Sequence, residues 1–266
     1  MFLNSPRYTS SPTPLSSSST RYGADTVASL KSFVLEKTGL AIKVREPKQA
    51  SRPRGYWTIK QKSMLLSDPP VVKVRPIISH SRHPCRAILK RVGRALSVLV
   101  CLASQAVQET NRLHVPMWKL HEGSRQWIER LRDRPQTAEI VEFDVEDCFL
   151  NTPRSLVTRA HSFWVSFSFG RRRRVQFISI SKDSHKEDHV GRPCSSHFWE
   201  LSVPTICAVV EWEMEHNAEF EVASCAGTDV VLRQVKGLPI GCHLSAALVE
   251  LTALFFRAND GETIPP

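Results

Sequence analysis

The 266-residue sequence lacks three features that would each indicate a class of protein. No apolar run approaches the roughly 18 residues that a transmembrane helix needs, so no membrane span is predicted. The seven cysteines include no Cys-x-x-Cys pair, and their odd number and wide spacing do not suit a disulfide framework. The sequence also contains no internal repeat, so a solenoid is not predicted. Reduced cysteines are typical of intracellular proteins, so the sequence favours a nuclear or cytoplasmic location.

Acidic residues are scarce relative to basic ones. Asp and Glu number 26 against 36 Lys and Arg, which gives a formal net charge of +10. An excess of this size indicates a polyanionic partner, with nucleic acid as the first candidate and an acidic membrane surface as the second. A basic soluble protein without such a partner is the alternative. The 41% hydrophobic content supports a folded core.

The N-terminal segment differs in composition from the rest of the chain. Residues 1–27 are rich in Ser, Pro and Thr, and acidic residues are absent before Asp25. This composition predicts a disordered tail, and an organelle transit peptide is the alternative. The remainder divides into two regions, residues 28–135 and residues 136–266. The second region carries a polar insertion at about residues 170–200, which is expected to include a hairpin.

Apolar periodicity predicts a mixed α/β fold, with helices packed on a small antiparallel sheet. Helices are predicted for DTVASLKSFVLEKTGL, CRAILKRVGRALSVLVCLASQAVQE, SRQWIERLRDR, RSLVTRAHSFWVSF, VPTICAVVEWEMEHN and CHLSAALVELTALFFR. Strands are predicted for AEIVEFDV and on both sides of the turn CAGTD. In the predicted helix CRAILKRVGRALSVLVCLASQAVQE, we expect one apolar face to be buried. This face carries Ile88, Val92, Ala95, Leu99 and Leu102.

Three separated stretches carry residues suited to nucleotide chemistry. The first is KVRPII, in which Lys73 and Arg75 alternate on one face of a short strand. A guanidinium binds phosphate oxygens in pairs and an ammonium acts as a point charge, so the two could hold a triphosphate. A solvated basic strand is the alternative.

The second stretch is EFDVEDCFLNTP, where a carboxylate ends an apolar strand. Buried carboxylates are costly unless paired or bound to metal, and Mg²⁺ prefers carboxylates together with substrate phosphates. Asp144 is therefore a candidate metal ligand, and the backbone at Val145 and Glu146 a candidate contact for a metal-bound triphosphate. Phe149 would then lie beneath the sugar. Capping of the following helix by Asp144 or Asp147 is the alternative.

The third stretch is KGLPIGCHLSAAL, in which Gly237 and Gly241 bound a loop before a helix. Glycines allow a nucleotide or template base to approach the backbone closely, and a helix N-terminus favours negative charge. An ordinary strand-to-helix turn is the alternative.

In this order, the three stretches resemble the reverse transcriptase domain, over about residues 70–257. KVRPII is similar to the triphosphate-binding part of the fingers, FDVEDCFLNTP to the first catalytic motif of the palm, and GLPIGCHLSAAL to the motif that packs on template and nucleotide. Among non-retroviral retroelements, FDVEDCFLNTP is most similar to the catalytic strand of Penelope-like elements. The resemblance implies a right-hand polymerase fold, with residues 28–135 as fingers and 136–266 as partial palm.

The resemblance also implies an activity: template-directed addition of dNTPs to a DNA primer on an RNA template, with two Mg²⁺ ions, or Mn²⁺ in their place. Asp144 would be the catalytic metal ligand, Lys73, Arg75 and Val145 would contact the nucleotide, and Phe149 would exclude a ribose 2′-hydroxyl. The template and nucleotide pocket would be shaped by Gly237, Pro239, Gly241 and Ser245.

One part of the family pattern is missing from the 266 residues. The second catalytic motif, an aromatic-x-Asp-Asp hairpin, should follow the glycine motif, and no Asp-Asp pair occurs in the sequence. Since nucleotidyl transfer uses two metals, Asp144 alone would not hold both. The sequence therefore predicts a truncated polymerase domain that is inactive by itself. A non-catalytic basic module that binds nucleic acid, or a nonfunctional retroelement remnant, is the alternative.

Two further segments each allow two interpretations. His185, His189, Cys194 and His197 have spacings compatible with zinc, although a solvated loop is the alternative. The run Arg171, Arg172, Arg173 and Arg174 suits contact with nucleic-acid phosphates or nuclear import, and a solvated hairpin is the alternative. His80 and His83 are interpreted as turn residues rather than ligands.

Overall fold

The structure is a computed structural model. It describes residues 7–10, 19–44, 49–59, 74–110, 147–170, 176–183, 187–192, 195–216, 219–223 and 229–258. The helices in these ranges are α1 (Ser19–Thr38), α2 (Arg86–Thr110), the one-turn α3 (Cys148–Asn151), α4 (Arg154–Phe169), α5 (Val203–His216) and α6 (Ser245–Ala258). The helices predicted over these segments are confirmed. The helix and strand predicted for SRQWIERLRDR and AEIVEFDV lie outside the described residues.

The strands of the described residues form two sheets. They are β1 (Tyr8–Ser10), β2 (Arg54–Ile59), β3 (Val74–Ser79), β4 (Phe177–Ser181), β5 (His189–Val190), β6 (Phe198–Ser202), β7 (Glu219–Ala223) and β8 (Asp229–Gln234). The larger sheet has the order β1-β8-β7-β2-β3, and the smaller one has the order β5-β4-β6. All pairs are antiparallel except β2 with β7. The mixed α/β fold with helices on small antiparallel sheets is confirmed.

The main hydrophobic core is built around α2. Its predicted apolar face is buried at Ile88, Val92, Ala95 and Leu99, whereas Leu102 is only half-buried. Helices α4, α5 and α6 and strand β4 pack against α2. The 3.6-residue period of the helix explains why residues spaced three and four apart meet the same core.

A smaller core fixes the larger sheet. Tyr8, Ile78, Phe220 and Leu232 form this second buried cluster. Gly55 of β2 lies directly against the Phe220 ring, because a Cβ at this position would be only 2.8 Å from two ring carbons. The same residue pairs with Val222 in the parallel β2–β7 ladder.

Part of the N-terminal prediction is corrected. Disorder was expected over residues 1–27, but Tyr8–Ser10 form a strand that pairs with β8, and α1 begins at Ser19. The physical reason is burial against distant residues: the ring of Tyr8 packs edge-on against Phe220 at 5.5 Å. Local composition does not reveal this partner. The division at residue 135 stays a prediction.

The polar insertion is more regular than expected. The expected hairpin is formed by β4 and β5, and β4 also pairs with β6 to make the smaller sheet. Across the parts of the chain that the structure describes, no helix combines the length and apolarity required to cross a bilayer.

Candidate functional site

The structure describes six of the residues predicted to bind nucleotide: Arg75, Phe149, Gly237, Pro239, Gly241 and Ser245. The remaining candidates lie outside the described residues: Lys73, Asp144, Val145 and Arg171 to Arg174. The six described residues come from three segments that are far apart in the sequence, namely β3, the turn of α3 and the loop before α6.

The loop of residues 237–244, here called the glycine loop, contacts the turn that carries Phe149. The backbone N–H of Leu238 donates to the carbonyl of Phe149 at 2.7 Å. Gly237 has a φ of 70°, and a Cβ there would lie 2.6 Å from the same carbonyl oxygen and closer still to that of Leu150. Only glycine allows this contact, which places Phe149, itself half-buried, directly beside the loop.

The same loop contacts β3 at its other end. The N–H of Ile78 donates to the carbonyl of Ile240 at 2.7 Å. Gly241 has a φ of 111°, and a Cβ there would lie 2.5 Å from the carbonyl oxygen of Ile78. The glycine loop therefore joins the strand of Arg75 to the turn of Phe149, so the three predicted motifs meet in the fold.

Pro239 and Ser245 hold the glycine loop from the inside. The Ser245 hydroxyl donates to the Pro239 carbonyl at 2.8 Å, and both residues are buried. The N–H of Cys242 donates to the same carbonyl at 3.3 Å. The hydroxyl of Ser245 thus bonds to the loop itself, and this contact fixes the shape of the loop.

Arg75 lies on an exposed, basic face of the larger sheet. The β2–β3 register places Arg54 opposite Ser79, Tyr56 opposite Ile77 and Thr58 opposite Arg75. Residues directly opposite in an antiparallel pair point to the same side, so these six residues share one face, here called the β2–β3 face. Its members Arg54, Tyr56, Thr58 and Arg75 are exposed.

A hollow of about 390 Å³ opens on the β2–β3 face. It is lined by Ser51, Arg52, Arg54, Tyr56, Ser79, Ser81, Arg82 and Glu221. Arg52 is 6% exposed and lies 3.5 Å from the carboxylate of Glu221, whereas Arg54 and Arg82 are exposed. The hollow therefore presents two exposed guanidinium groups and several hydroxyls to an incoming anion.

Further positive charge lies beside the glycine loop. Burial lowers the pKa of His243, and the charges of Arg86 and Lys90 at the start of α2 lower it further. Both of these residues are exposed. The loop is thus flanked by cations on the α2 side.

Arg154, the first residue of α4, organises the loop and was missed by sequence reasoning. Its guanidinium donates to the carbonyls of Gly237 at 3.1 Å, Met214 at 2.8 Å and Gln234 at 2.9 Å. Burial lowers the pKa of this guanidinium from its ordinary value. Its position after Pro153 is the only sequence signal, and that signal indicates a helix start rather than a role in the loop.

Asp147 departs from the predicted helix cap. It occupies the N-cap position of α3 with a φ of 49°, but its side chain makes no capping hydrogen bond within the described residues. Its carboxylate lies 3.6 Å from the guanidinium of Arg7. The alternative interpretation, that Asp147 caps the following helix, is therefore correct for its position at the N-cap. It is wrong for the side chain, because the capping bond is missing from the described residues. Capping by Asp144 lies outside the described residues.

The histidines that the sequence singles out lie in different environments. His185 and Cys194 lie outside the described residues, and the ring of His189 packs on Phe198 at 4.9 Å, so the zinc motif stays a prediction. His83 is confirmed as a turn residue, because its Nδ1 accepts from the N–H of Cys85 at 3.1 Å. His80 is buried beside Glu213, which the sequence did not indicate.

Comparisons with known proteins show similarity at the level of the fold. No family model and no curated protein matches the sequence. The apo telomerase of Candida tropicalis aligns with a TM-score of 0.50 at 10% identity, covering 90% of this chain and 40% of that one. Telomerase of Candida albicans in complex with a TWJ fragment of telomeric RNA aligns with a TM-score of 0.46 at 12% identity, covering 95% and 42%.

The chain thus spans about two fifths of the length of these telomerases. Telomerase is a member of the reverse transcriptase family. On the Candida tropicalis alignment, the fold of this chain is similar to that of a reverse transcriptase.

Proposed function

We propose that this chain is a reverse-transcriptase-like domain that binds nucleic acid along the β2–β3 face and the glycine loop. One observation carries the proposal: the glycine loop bonds to the Phe149 turn and to β3, and so unites the three motifs. The activity proposed for such a domain is the template-directed addition of dNTPs to a primer on RNA. A Penelope-like retroelement origin belongs to the same proposal.

The charge and chemistry of the β2–β3 face suit a phosphate backbone. Arg54 and Arg75 on this face and Arg82 beside it carry exposed guanidinium groups, which bind phosphate oxygens in pairs. Arg54 also lies 3.7 Å from the carboxylate of Asp229, so a phosphate would compete with that exposed ion pair. Tyr56 on the same face is 47% exposed and offers a ring on which a base can stack. The formal charge of +10 adds long-range attraction for a polyanion.

Phe149 is proposed to select the sugar. The hydrogen bond from Leu238 to its carbonyl and the absent side chain at Gly237 fix the backbone of this residue beside the glycine loop. A ring held in this way would exclude a 2′-hydroxyl by contact. The proposal assigns selection for deoxynucleotides to this residue.

The magnesium proposal depends on Asp144, which lies outside the described residues. The nearest described carboxylate in the sequence, Asp147, is ion-paired with Arg7. The described residues of this turn therefore do not complete a two-metal site. A non-catalytic binding module is the second candidate, because the arginine-lined hollow needs no carboxylate to hold phosphate.

Binding to labelled single-stranded RNA, followed by fluorescence anisotropy, tests the proposed interface. We expect the double variant Arg54→Gln/Arg75→Gln to bind roughly tenfold more weakly, since two phosphate contacts are lost. Arg21→Gln/Lys31→Gln on α1 removes the same charge from exposed positions outside this face. Equal weakening by both double variants would show that only total charge matters, and would contradict the assigned interface.

Incorporation of dNTPs on a primed RNA template tests the activity. If the unchanged chain incorporates dNTPs with Mg²⁺ or Mn²⁺ present, Asp144→Ala should abolish the incorporation and Asp147→Asn should retain it, because only Asp144 is assigned to the metal. Equal signals from the unchanged chain and from Asp144→Ala would rule out catalysis by this chain. Salt-sensitive RNA binding in the same preparation would then support the non-catalytic module.

A further inference from the structure

Three potential metal ligands from distant parts of the chain meet in the core. His80 follows β3, Glu213 lies on α5, and Cys242 belongs to the glycine loop. All three residues are buried, with 2%, 2% and 8% exposure respectively. Their ligand atoms all lie within 4.8 Å of one another. Cys242 Sγ is 3.0 Å from Glu213 Oε1, and His80 Nε2 is 4.0 Å from the same oxygen.

The imidazole of His80 is oriented as a ligand. Its Nδ1 lies 3.0 Å from the carbonyl of Ile78, which accepts only, so Nδ1 carries the proton. Nε2 therefore has a free lone pair, and within the described residues this buried atom has no hydrogen-bond partner. In a metal-bound histidine, one ring nitrogen usually donates to a carboxylate or a backbone carbonyl while the other nitrogen binds the metal. His80 has its two nitrogens in this arrangement.

We propose that His80 Nε2, a Glu213 carboxylate oxygen and the Cys242 sulfur bind a zinc ion. Nitrogen, oxygen and thiolate are the donors that zinc takes, and three protein ligands leave a fourth position for water. Zinc bonds of about 2.0 to 2.3 Å in a tetrahedron separate the ligand atoms by roughly 3.3 to 3.8 Å. Two separations are 3.0 and 4.0 Å, and the third, between His80 Nε2 and Cys242 Sγ, is at most 4.8 Å. Side-chain shifts of about 1 Å would therefore bring all three atoms into the range for zinc.

Binding would exchange a proton for the metal. In the metal-free arrangement, the Cys242 thiol donates to Glu213 Oε1 at 3.0 Å. Zinc would displace the thiol proton to solvent, form the S–Zn bond, and occupy the open side of His80 Nε2. The metal-free alternative is a thiol–carboxylate hydrogen bond beside an unsatisfied imidazole nitrogen.

The proposed ion would tie the glycine loop to two other elements. Cys242 lies directly after Gly241, His80 directly after β3, and Glu213 within α5. A zinc ion here would hold the loop against both. Zinc binding at this site does not require polymerase activity, so a negative result in the incorporation assay would leave it untouched.

Metal analysis of the whole chain tests the proposal. The protein is expressed with added Zn²⁺, purified by gel filtration and measured for zinc per chain. We expect one equivalent, reduced at least tenfold in Cys242→Ser and in His80→Gln. Cys85→Ser replaces another buried cysteine and should retain the metal. A folded chain without zinc, or a zinc content that is the same in Cys242→Ser and His80→Gln as in the unchanged chain, would overturn the inference.

A second pair of measurements separates this site from the zinc motif considered from sequence. His189→Gln/His197→Gln should keep its zinc, and loss of zinc in this variant alone would move the site to the insertion and overturn the proposal. Co²⁺ bound to the unchanged chain should show thiolate-to-cobalt absorption. If Cys242→Ser fails to fold, the cobalt absorption of the unchanged chain is the deciding measurement. A folded chain that lacks this absorption has no cysteine-bound metal, and that result would overturn the proposal.

Discussion

At Gly237 and Gly241 the backbone adopts φ values of 70° and 111° while lying against neighbouring carbonyl oxygens. Two separate requirements therefore select glycine at these positions, namely conformation and space. Arg154 supplies a third constraint, because it bonds to the carbonyl of Gly237 and also to the ends of α5 and β8. The geometry of the glycine loop thus depends on a few individual residues.

His161 on α4 gives a prediction for pH dependence. The residue is 3% exposed, and its Nε2 has no hydrogen-bond partner within the described residues. Burial lowers its pKa to about 4 from the ordinary value of 6.5. Above pH 6.5 the ring is neutral in both the folded and the unfolded chain. Below it, the unfolded chain binds a proton first, so the free energy of unfolding falls until the folded pKa is reached.

We expect His161→Leu to remove this acid sensitivity. Between about pH 7.5 and about pH 4, the unchanged chain should lose up to about 3 kcal/mol more stability than the variant. Urea unfolding at several pH values measures the difference. His197→Gln changes an exposed histidine and should follow the unchanged chain. Parallel pH curves for His161→Leu and the unchanged chain would show that His161 is not the group responsible.

At the scale of the element, α2 is both the centre of the main core and a support for the glycine loop. Gly93 lies in the middle of this helix, where the carbonyl oxygen of His243 approaches so closely that a Cβ would overlap it. Glycine is otherwise unfavourable inside a helix by about 1 kcal/mol relative to alanine. Its presence here is explained by the contact between helix and loop.

Gly93→Ala should therefore destabilise the protein despite its better helix propensity. We expect a net loss of about 1–3 kcal/mol, since the overlap forces the loop or the helix to move. Ser97→Ala, one turn later and exposed, removes only the hydrogen bond from the Ser97 hydroxyl to the Gly93 carbonyl at 3.2 Å. This change should alter the free energy of unfolding by less than about 0.5 kcal/mol, because such a bond to the preceding turn adds little to a helix. Chemical denaturation measures both variants. A Gly93→Ala protein as stable as the unchanged chain would contradict the described packing.

At the scale of the whole molecule, the excess of positive charge predicts salt-dependent binding. The exposed Arg54, Arg75 and Arg82 would neutralise three phosphates. For a single strand, each neutralised phosphate contributes about −0.7 to the slope of log affinity against log salt, which gives a slope of about −2 or steeper. Titrations of labelled RNA at several salt concentrations measure it. A slope near zero would exclude phosphate binding as the source of affinity.

Much of the secondary structure was determined by the sequence alone. The buried face of α2, the start of α4 after Pro153, and strands β7 and β8 follow from periodicity within short windows. Arg75, Phe149 and the two loop glycines were also found as a motif set. These features are local, because the helical and strand repeats and the need for a turn are expressed by neighbouring residues.

Only the tertiary structure decided which of these segments meet. Tyr8 is ordered because Phe220 covers its ring, Arg154 finds three carbonyls from separate elements, and the buried group of His80, Glu213 and Cys242 joins a strand end, a helix and a loop. Such contacts depend on which surfaces become adjacent when α5 and the glycine loop pack against β3 and α2. Residue spacing in the sequence carries no signal for that, since the free energy gained comes from long-range burial rather than from local preference.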